Sequence, residues 1–286
     1  MRRTASSTKR GARTAITDEL ASAFRRSIDE GEHRLGRSWP SLLATGAVGG
    51  IDIGIGILGL LLVEQATGSA LLAGLAFGIG FIALTLANSE LFTENFLVPV
   101  VAAAAGKAGP LAVLRLWVGT ASTNLLAGWV VMGVVIAGVP EVRAPAVEVS
   151  KHYVELGAGQ AFAAAVLGGA VITLMTWMER GTDSEPAKIV AAISAAFLLI
   201  AGKLNHVIVV SLLIFAALHA GAPFGYADWL GVAGWATLGN LVGGLGLVTM
   251  LRLVQVGQER LLDEREDNTA PGDQQRAVGG DNGDAT

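Results

Sequence analysis

The stretch from Ala87 to Pro99, A-N-S-E-L-F-T-E-N-F-L-V-P, constrains this chain more than any other. It sets Asn88, Ser89, Glu90, Thr93, Glu94 and Asn95 inside an apolar run that starts near Ala70 and resumes from Val101 to Ala105. The flanks together are long enough for one bilayer crossing, which takes roughly 20 apolar residues at about 1.5 Å each. Lipid offers backbone N–H and C=O groups no partner, so such an interruption survives only where protein buries it or where it lines a cavity. A membrane helix broken in its middle is the expectation. Composition agrees: of 286 residues 52% are hydrophobic and 15% charged, and the mean hydropathy is +0.56, which excludes a soluble globular domain of this size. There is no cysteine, so disulfide and thiol chemistry are excluded as well.

The chain divides into three parts. Residues 1–38 are basic and polar, with no apolar stretch before Ser41, which reads as a cytoplasmic tail rather than a cleavable signal peptide. Within it, Thr17 to Gly36 puts Leu20, Phe24, Ile28 and Leu35 near one helical face. Such a helix lies on the membrane or on a neighbouring subunit, or is simply solvated. Residues 39–256 hold the crossings: about Ser41 to Val63, the broken run from about Ser69 to Ala105, Leu111 to Val139, Gln160 to Met178, Ile189 to Leu218, and Leu230 to Val254. The fifth is interrupted by a second polar island, Gly202-Lys203-Leu204-Asn205-His206. Residues 257–286 are charged and read as a disordered cytoplasmic tail. With six crossings, 17 of the 20 Lys and Arg fall on the side of the two tails, so the positive-inside rule puts both termini in the cytoplasm.

The two halves share an outline. Each has a glycine-rich span, a span broken by polar residues, and a span carrying an Asn with spaced glycines, Asn124 to Gly128 in one and Asn240 to Gly244 in the other. Three crossings per half make the copies inverted, and inverted repeats with discontinuous helices put a permeation site where the breaks meet. A channel or transporter follows.

The residues E-L-F-T (Glu90 to Thr93), N-L-L-A-G (Asn124 to Gly128), His206 in the fifth-span break and G-N-L-V-G-G (Gly239 to Gly244) resemble the formate/nitrite transporter family. The resemblance covers about Ser41 to Val254. It implies an all-α membrane protein of six transmembrane helices, an aquaporin-like inverted repeat with broken helices 2 and 5, and a homopentamer with one pore per protomer. It also implies passage of small monovalent anions or their conjugate acids across a bacterial or archaeal cytoplasmic membrane. By the same resemblance Thr93 polarises the loop, Leu91 and Leu199 sit where hydrophobic constrictions occur, and His206 is the central histidine. The chain departs from formate-type members in reading Asn205-His206-Val207-Ile208-Val209-Val210, in having Gly169 where the family has Asn, and in Tyr153 near the vestibule lysine, with Lys151 the closest candidate. Asp52 and Lys203 are additions, so the pattern is that of a divergent, YfdC-like branch.

His206 is the strongest candidate for chemistry, since an imidazole inside a membrane protein donates to a carboxylate and exchanges protons, or else serves as a structural partner of Thr93 or Asn205. Glu90 is expected to cap loose amides or pair with a cation, with Asn95, Asn124 and Asn240 satisfying backbone groups of the breaks. A charge in mid-span needs a partner. Lys203 is therefore expected to be neutralised by Asp52 or Glu90, within the protomer or across the subunit interface, or else to serve as an anion site. Rings at Leu91, Phe92 and Leu199 would exclude bulk ions. His152, His219 and Asp228 fall near the outer face. A neutral-solute or water channel on the same fold is the alternative. An intramembrane enzyme is less favoured: H-E-x-x-H, G-x-S-x-G and P-loop patterns are absent. No cofactor, metal or nucleic acid is expected; the partners are the bilayer and a formate-like permeant.

Overall fold

The structure is a computed structural model that describes the backbone of residues 4–256 and the side chains of residues 20–255. The C-terminal tail expected to be disordered lies outside the described residues. The described chain is helical throughout. Helix α1 (Thr4–Gly36) precedes α2 (Trp39–Thr67), which opens with a proline in its first turn, where the missing N–H costs nothing. Gly68 ends α2 in the left-handed region at φ 61° and returns its N–H to Glu64, and Ser69 then caps α3 (Ala70–Ala87). The first polar island follows as an irregular segment with one 3₁₀ turn, Glu94–Phe96, and leads into α4 (Val98–Ala104).

Helices α5 (Pro110–Gly138), α6 (Arg143–Val154) and α7 (Ala158–Arg180) come next. Then α8 (Glu185–Ala201) meets the second island and α9 (Val207–His219). The last helical path runs from α10 (Tyr226–Leu241) through a π-helical segment, Val242–Thr249, into α11 (Met250–Val256). Among the described residues five helices are long and apolar enough to cross a membrane: Trp39–Thr67, Ala70–Ala87, Pro110–Gly138, Ala158–Arg180 and Tyr226–Gln255. Large apolar side chains such as Leu71, Leu75 and Ile79 on α3 and Leu114, Val118 and Leu126 on α5 face outward, as a lipid-facing or subunit-facing perimeter requires.

Two expectations change. The amphipathic segment does not depend on a membrane or a second subunit for its apolar face: Ala23, Phe24 and Ile28 pack against Leu97, Val101, Ala105 and Trp177 of the same chain, and Leu35 packs with Leu42, Ala102 and Leu116. Nor do the polar islands sit halfway along their helices. At about 1.5 Å per residue the 18 residues of α3 and the 17 of α8 each travel most of a bilayer unaided. Accordingly α3 begins at a cavity beside α6 that Ala70 and Ala73 line and ends at a second one beside α1 that Asn88, Ser89, Glu30 and Lys188 line. Helix α8 runs the other way, from Lys188 to Ile200 and Lys203 at the α6 cavity. Each island is thus a re-entrant loop that folds back from the far end of a nearly complete crossing.

Candidate permeation site

Both loops leave their helices through a left-handed residue, Asn88 at φ 53° and Lys203 at φ 49°, the two positive-φ residues other than glycine among those described. They return to meet in the interior. There Thr93 Oγ1 lies 2.6 Å from His206 Nε2, both side chains being fully buried. His206 also caps α9, its Nδ1 accepting from the Val209 N–H at 3.3 Å. An Nδ1 that accepts leaves the proton of a neutral imidazole on Nε2, where it is donated to Thr93. A proton added at Nδ1 would take this cap from the first turn of α9.

Each loop is held by one asparagine in the same way. Asn124 Oδ1 accepts from Phe92 N at 2.9 Å, while its Nδ2 donates to Glu90 O at 2.9 Å and Gly46 O at 2.6 Å. Asn240 Oδ1 accepts from Val207 N at 2.9 Å, while its Nδ2 donates to Asn205 O at 2.9 Å and Ala165 O at 2.7 Å. These bonds answer the requirement that buried backbone groups be paired. They need close helix approach. A Cβ at Gly50 would collide with the Asn124 carbonyl, and one at Gly169 with the Asn240 carbonyl. Asn124 and Asn240 thus each tie one loop's backbone to a neighbouring helix.

The first loop carries charge, and its counter-ions come from the end of α1. Glu90 accepts from Arg37 and lies 3.2 Å from Arg34, which also reaches Glu30 at 2.7 Å, Glu94 at 3.9 Å and Asn95 Oδ1 at 3.0 Å. Burial works against the Arg34 charge, yet the carboxylates of Glu90, Glu94 and Glu30 hold the guanidinium more firmly protonated than a free one. For Glu30, burial pushes upward and Arg34 pulls downward, with the carboxyl ending below its usual range. Asn95 further accepts from Trp117 Nε1 through its carbonyl at 2.8 Å. Sequence reasoning expected a cation for Glu90 but missed Arg34 and Arg37. Their place at the end of an amphipathic helix, just ahead of the first span, was the available signal.

Asp52 and Lys203 do not meet. Asp52 accepts from Ser89 Oγ at 2.5 Å, Glu90 is taken by the arginines, and Lys203 is exposed at the α6 end rather than held in mid-span. Within this chain the expected neutralisation of Lys203 by either carboxylate is corrected. Lys203 instead shares a cavity of about 330 Å³ with Lys151, His152 and Tyr153. There burial, and after it the Lys203 charge, lower the proton affinity of His152 against the pull of Glu155. In the second loop Asn205 Nδ2 donates to Ala161 O at 3.3 Å, and its Oδ1 is buried without a partner among the described residues. Leu91 and Leu199 are fully buried in the apolar cluster around the loops, and Phe92 meets Phe96 edge-on at 4.9 Å and Trp117 at 6.3 Å. No group of three or more His, Cys, Asp or Glu arranged to hold a metal occurs among the described residues.

The model of the family described as formate/nitrite transporter matches residues 21–254. The chain belongs to the formate/nitrite transporter family. It is similar to the inner membrane protein YfdC of Escherichia coli (strain K12), with 28% identity over 240 residues, covering 79% of this chain and 76% of that protein. It is also similar to the uncharacterized transporter YrhG of Bacillus subtilis (strain 168), with 25% identity over 249 residues, covering 83% of this chain and 92% of that protein. Among solved structures, an FNT family ion channel superposes with a TM-score of 0.77 at 18% identity, covering 82% of this chain and 99% of that one. A pentameric formate channel with formate bound gives 0.66 at 21% identity, covering 76% and 97%. These likenesses show the fold of formate/nitrite transporters, whose members here are channels and transporters rather than enzymes.

Proposed function

We propose that this formate/nitrite transporter carries a small monovalent anion or its conjugate acid, of the formate type, through each protomer, with Thr93 and His206 at the point of passage. The observation that carries the reading is the 2.6 Å contact between Thr93 and His206 where two re-entrant loops meet. Supporting it, the solved relative named a formate channel has the same fold. In this reading the anion passes Lys203 and, as the surroundings become apolar, takes up a proton from bulk water, directly or through an imidazolium formed transiently at His206 that returns to the neutral ring, and crosses as the neutral acid between Leu91, Phe92 and Leu199. Asn205 lines the approach, and Glu90, Asn95, Asn124, Asn240 and Asp52 hold the loops.

The architecture we infer is six crossings in two inverted halves. Residues 39–256 form the channel domain, residues 1–38 are an N-terminal cytoplasmic segment whose helix docks on it through Ala23 to Leu35, both termini lie in the cytoplasm, and five copies assemble in a bacterial cytoplasmic membrane. The like bonds of Asn124 and Asn240 support the repeat. A neutral solute or water is the second reading. It is favoured by Asn205, an amide where formate-type members have an acid, and by the two lysines and three glutamates of the α6 cavity, which make no cationic funnel. A proteoliposome panel of formate, nitrite, glycerol and water across pH distinguishes them. Acid flux above that of protein-free vesicles, rising as pH falls, is expected. Movement of glycerol or water alone would transfer the assignment to the second reading.

A further inference from the structure

The sixth crossing reaches the first loop through its π-helical segment, Val242–Thr249. Such segments are rare and occur often at functional sites, where the wider turn re-aims the side chains around it. An α-helix brings residues three or four apart onto one face, whereas a π-turn, bonded i to i+5, brings residues five apart together. Gly244 and Thr249 have that spacing, and both meet Phe96. A Cβ at Gly244 would come within 2.8 Å of the Phe96 ring, and Thr249 Oγ1 donates to the Phe96 carbonyl at 2.9 Å. An α register would put Val248 in that place, a side chain with no donor. In the π register Val248 instead lines an outer cavity with Leu247 and Leu251.

The bond to Phe96 completes the pairing of the loop's backbone. The N–H groups of Asn95, Phe96 and Leu97 serve the carbonyls of Phe92, Thr93 and Glu94, Trp117 serves that of Asn95, and Thr249 serves that of Phe96. Phe96 and Thr249 are fully buried, so water cannot replace the hydroxyl. The Thr173 hydroxyl also borders Gly244, yet it has no partner among the described residues and does not share the bond. The Phe96 ring stands edge-on to Phe92 at 4.9 Å and to Trp117 at 5.5 Å. Thr249 thus acts on Phe92 through Phe96.

We propose that Thr249, aimed by the π-helical turn, is a positioning residue for Phe92 and sets the largest acid that passes the first loop. The proposal rests on the small-acid reading, in which Phe92 flanks the passage.

The test is flux of formate and of butyrate, a longer acid of the same charge, in proteoliposomes carrying the full chain. The proteins are wild type, Thr249→Val, Thr249→Ser, Phe96→Leu and the exchange Val248→Thr with Thr249→Val. Wild type is expected to pass formate and to hold butyrate back. Thr249→Val removes the donor but keeps the shape, and is expected to raise the butyrate-to-formate flux ratio about 10-fold, on the order of one lost hydrogen bond. Phe96→Leu loosens the link from its other side and shifts the ratio the same way, which decides the matter should the valine variant not fold. Thr249→Ser keeps the wild-type ratio. The exchange moves the hydroxyl to the place an α register would use, and is expected to keep the raised ratio. A loss of folded protein lowers both fluxes together and does not move their ratio. An unchanged ratio in the folded Thr249→Val or Phe96→Leu protein, a wild-type ratio restored by the exchange, or equal passage of both acids in wild type overturns the proposal and leaves the small-acid reading standing. If no acid moves through wild type at any pH, both fall.

Discussion

Arg34 is buried among Glu30, Glu90 and Glu94 with Asn95 as a further partner. Removing one member of a buried ion pair strands the others, at a cost of about 3–5 kcal/mol. Arg34→Met is therefore expected to lower the thermal stability of the detergent-purified protein sharply, and adding Glu90→Gln is expected to recover part of the loss. A single variant as stable as its parent contradicts the ion network. At this scale the sequence was legible where chemistry is local. The residue types of Thr93, His206, Asn124 and Asn240 announced hydrogen bonding inside a membrane protein, and the bonds are there. The partner of Glu90 was not legible, because Arg34 lies 56 positions away in a helix that looked like a tail. Lys203 was misjudged because hydropathy places a residue by its neighbours along the chain rather than by the direction of the backbone.

Helix α1 behaves as part of the channel body. Its apolar face is covered by α4 and α7, and its last turn supplies the counter-ions of the first loop. The Glu30 carboxyl, held below its usual range in the folded protein, contributes to docking at neutral pH, and that contribution is lost as pH falls through its lowered value. Amide exchange in α1, corrected for intrinsic rates, should accordingly accelerate on acidification, and Glu30→Gln should flatten the response. Protection that stays constant or rises in acid would contradict it. Unbroken helices were readable from hydropathy to within a few residues: the span expected at Leu111 to Val139 is helical over Pro110–Gly138, and that at Gln160 to Met178 over Ala158–Arg180. The broken ones were read as interrupted but not as re-entrant. Composition reports that a stretch is polar, whereas the reversal depends on left-handed turns at Asn88 and Lys203, and a lysine gives no such signal.

At the scale of the whole molecule, two near-complete crossings, α3 and α8, run in opposite directions, and their loops return to one buried contact. One end of the bundle is closed by α1 and its arginines, and the other holds an open chamber with Lys203. This asymmetry separates structural charge from exposed charge: the fixed ions bind the first loop, while the ammonium of Lys203 is exposed. The family, matched over residues 21–254, supplies the frame of a membrane channel or transporter. The account as a whole depends on the loops meeting at the point of passage. The measurement that bears on it most directly is the pH dependence of formate flux in proteoliposomes of wild type and His206→Ala, with folding verified by the elution profile of each protein. The account predicts a wild-type flux that rises as pH falls and a His206→Ala flux lower by at least about 10-fold, the loss of roughly one strong polar contact, with its pH response altered. A folded His206→Ala protein that matches wild type at every pH would contradict it.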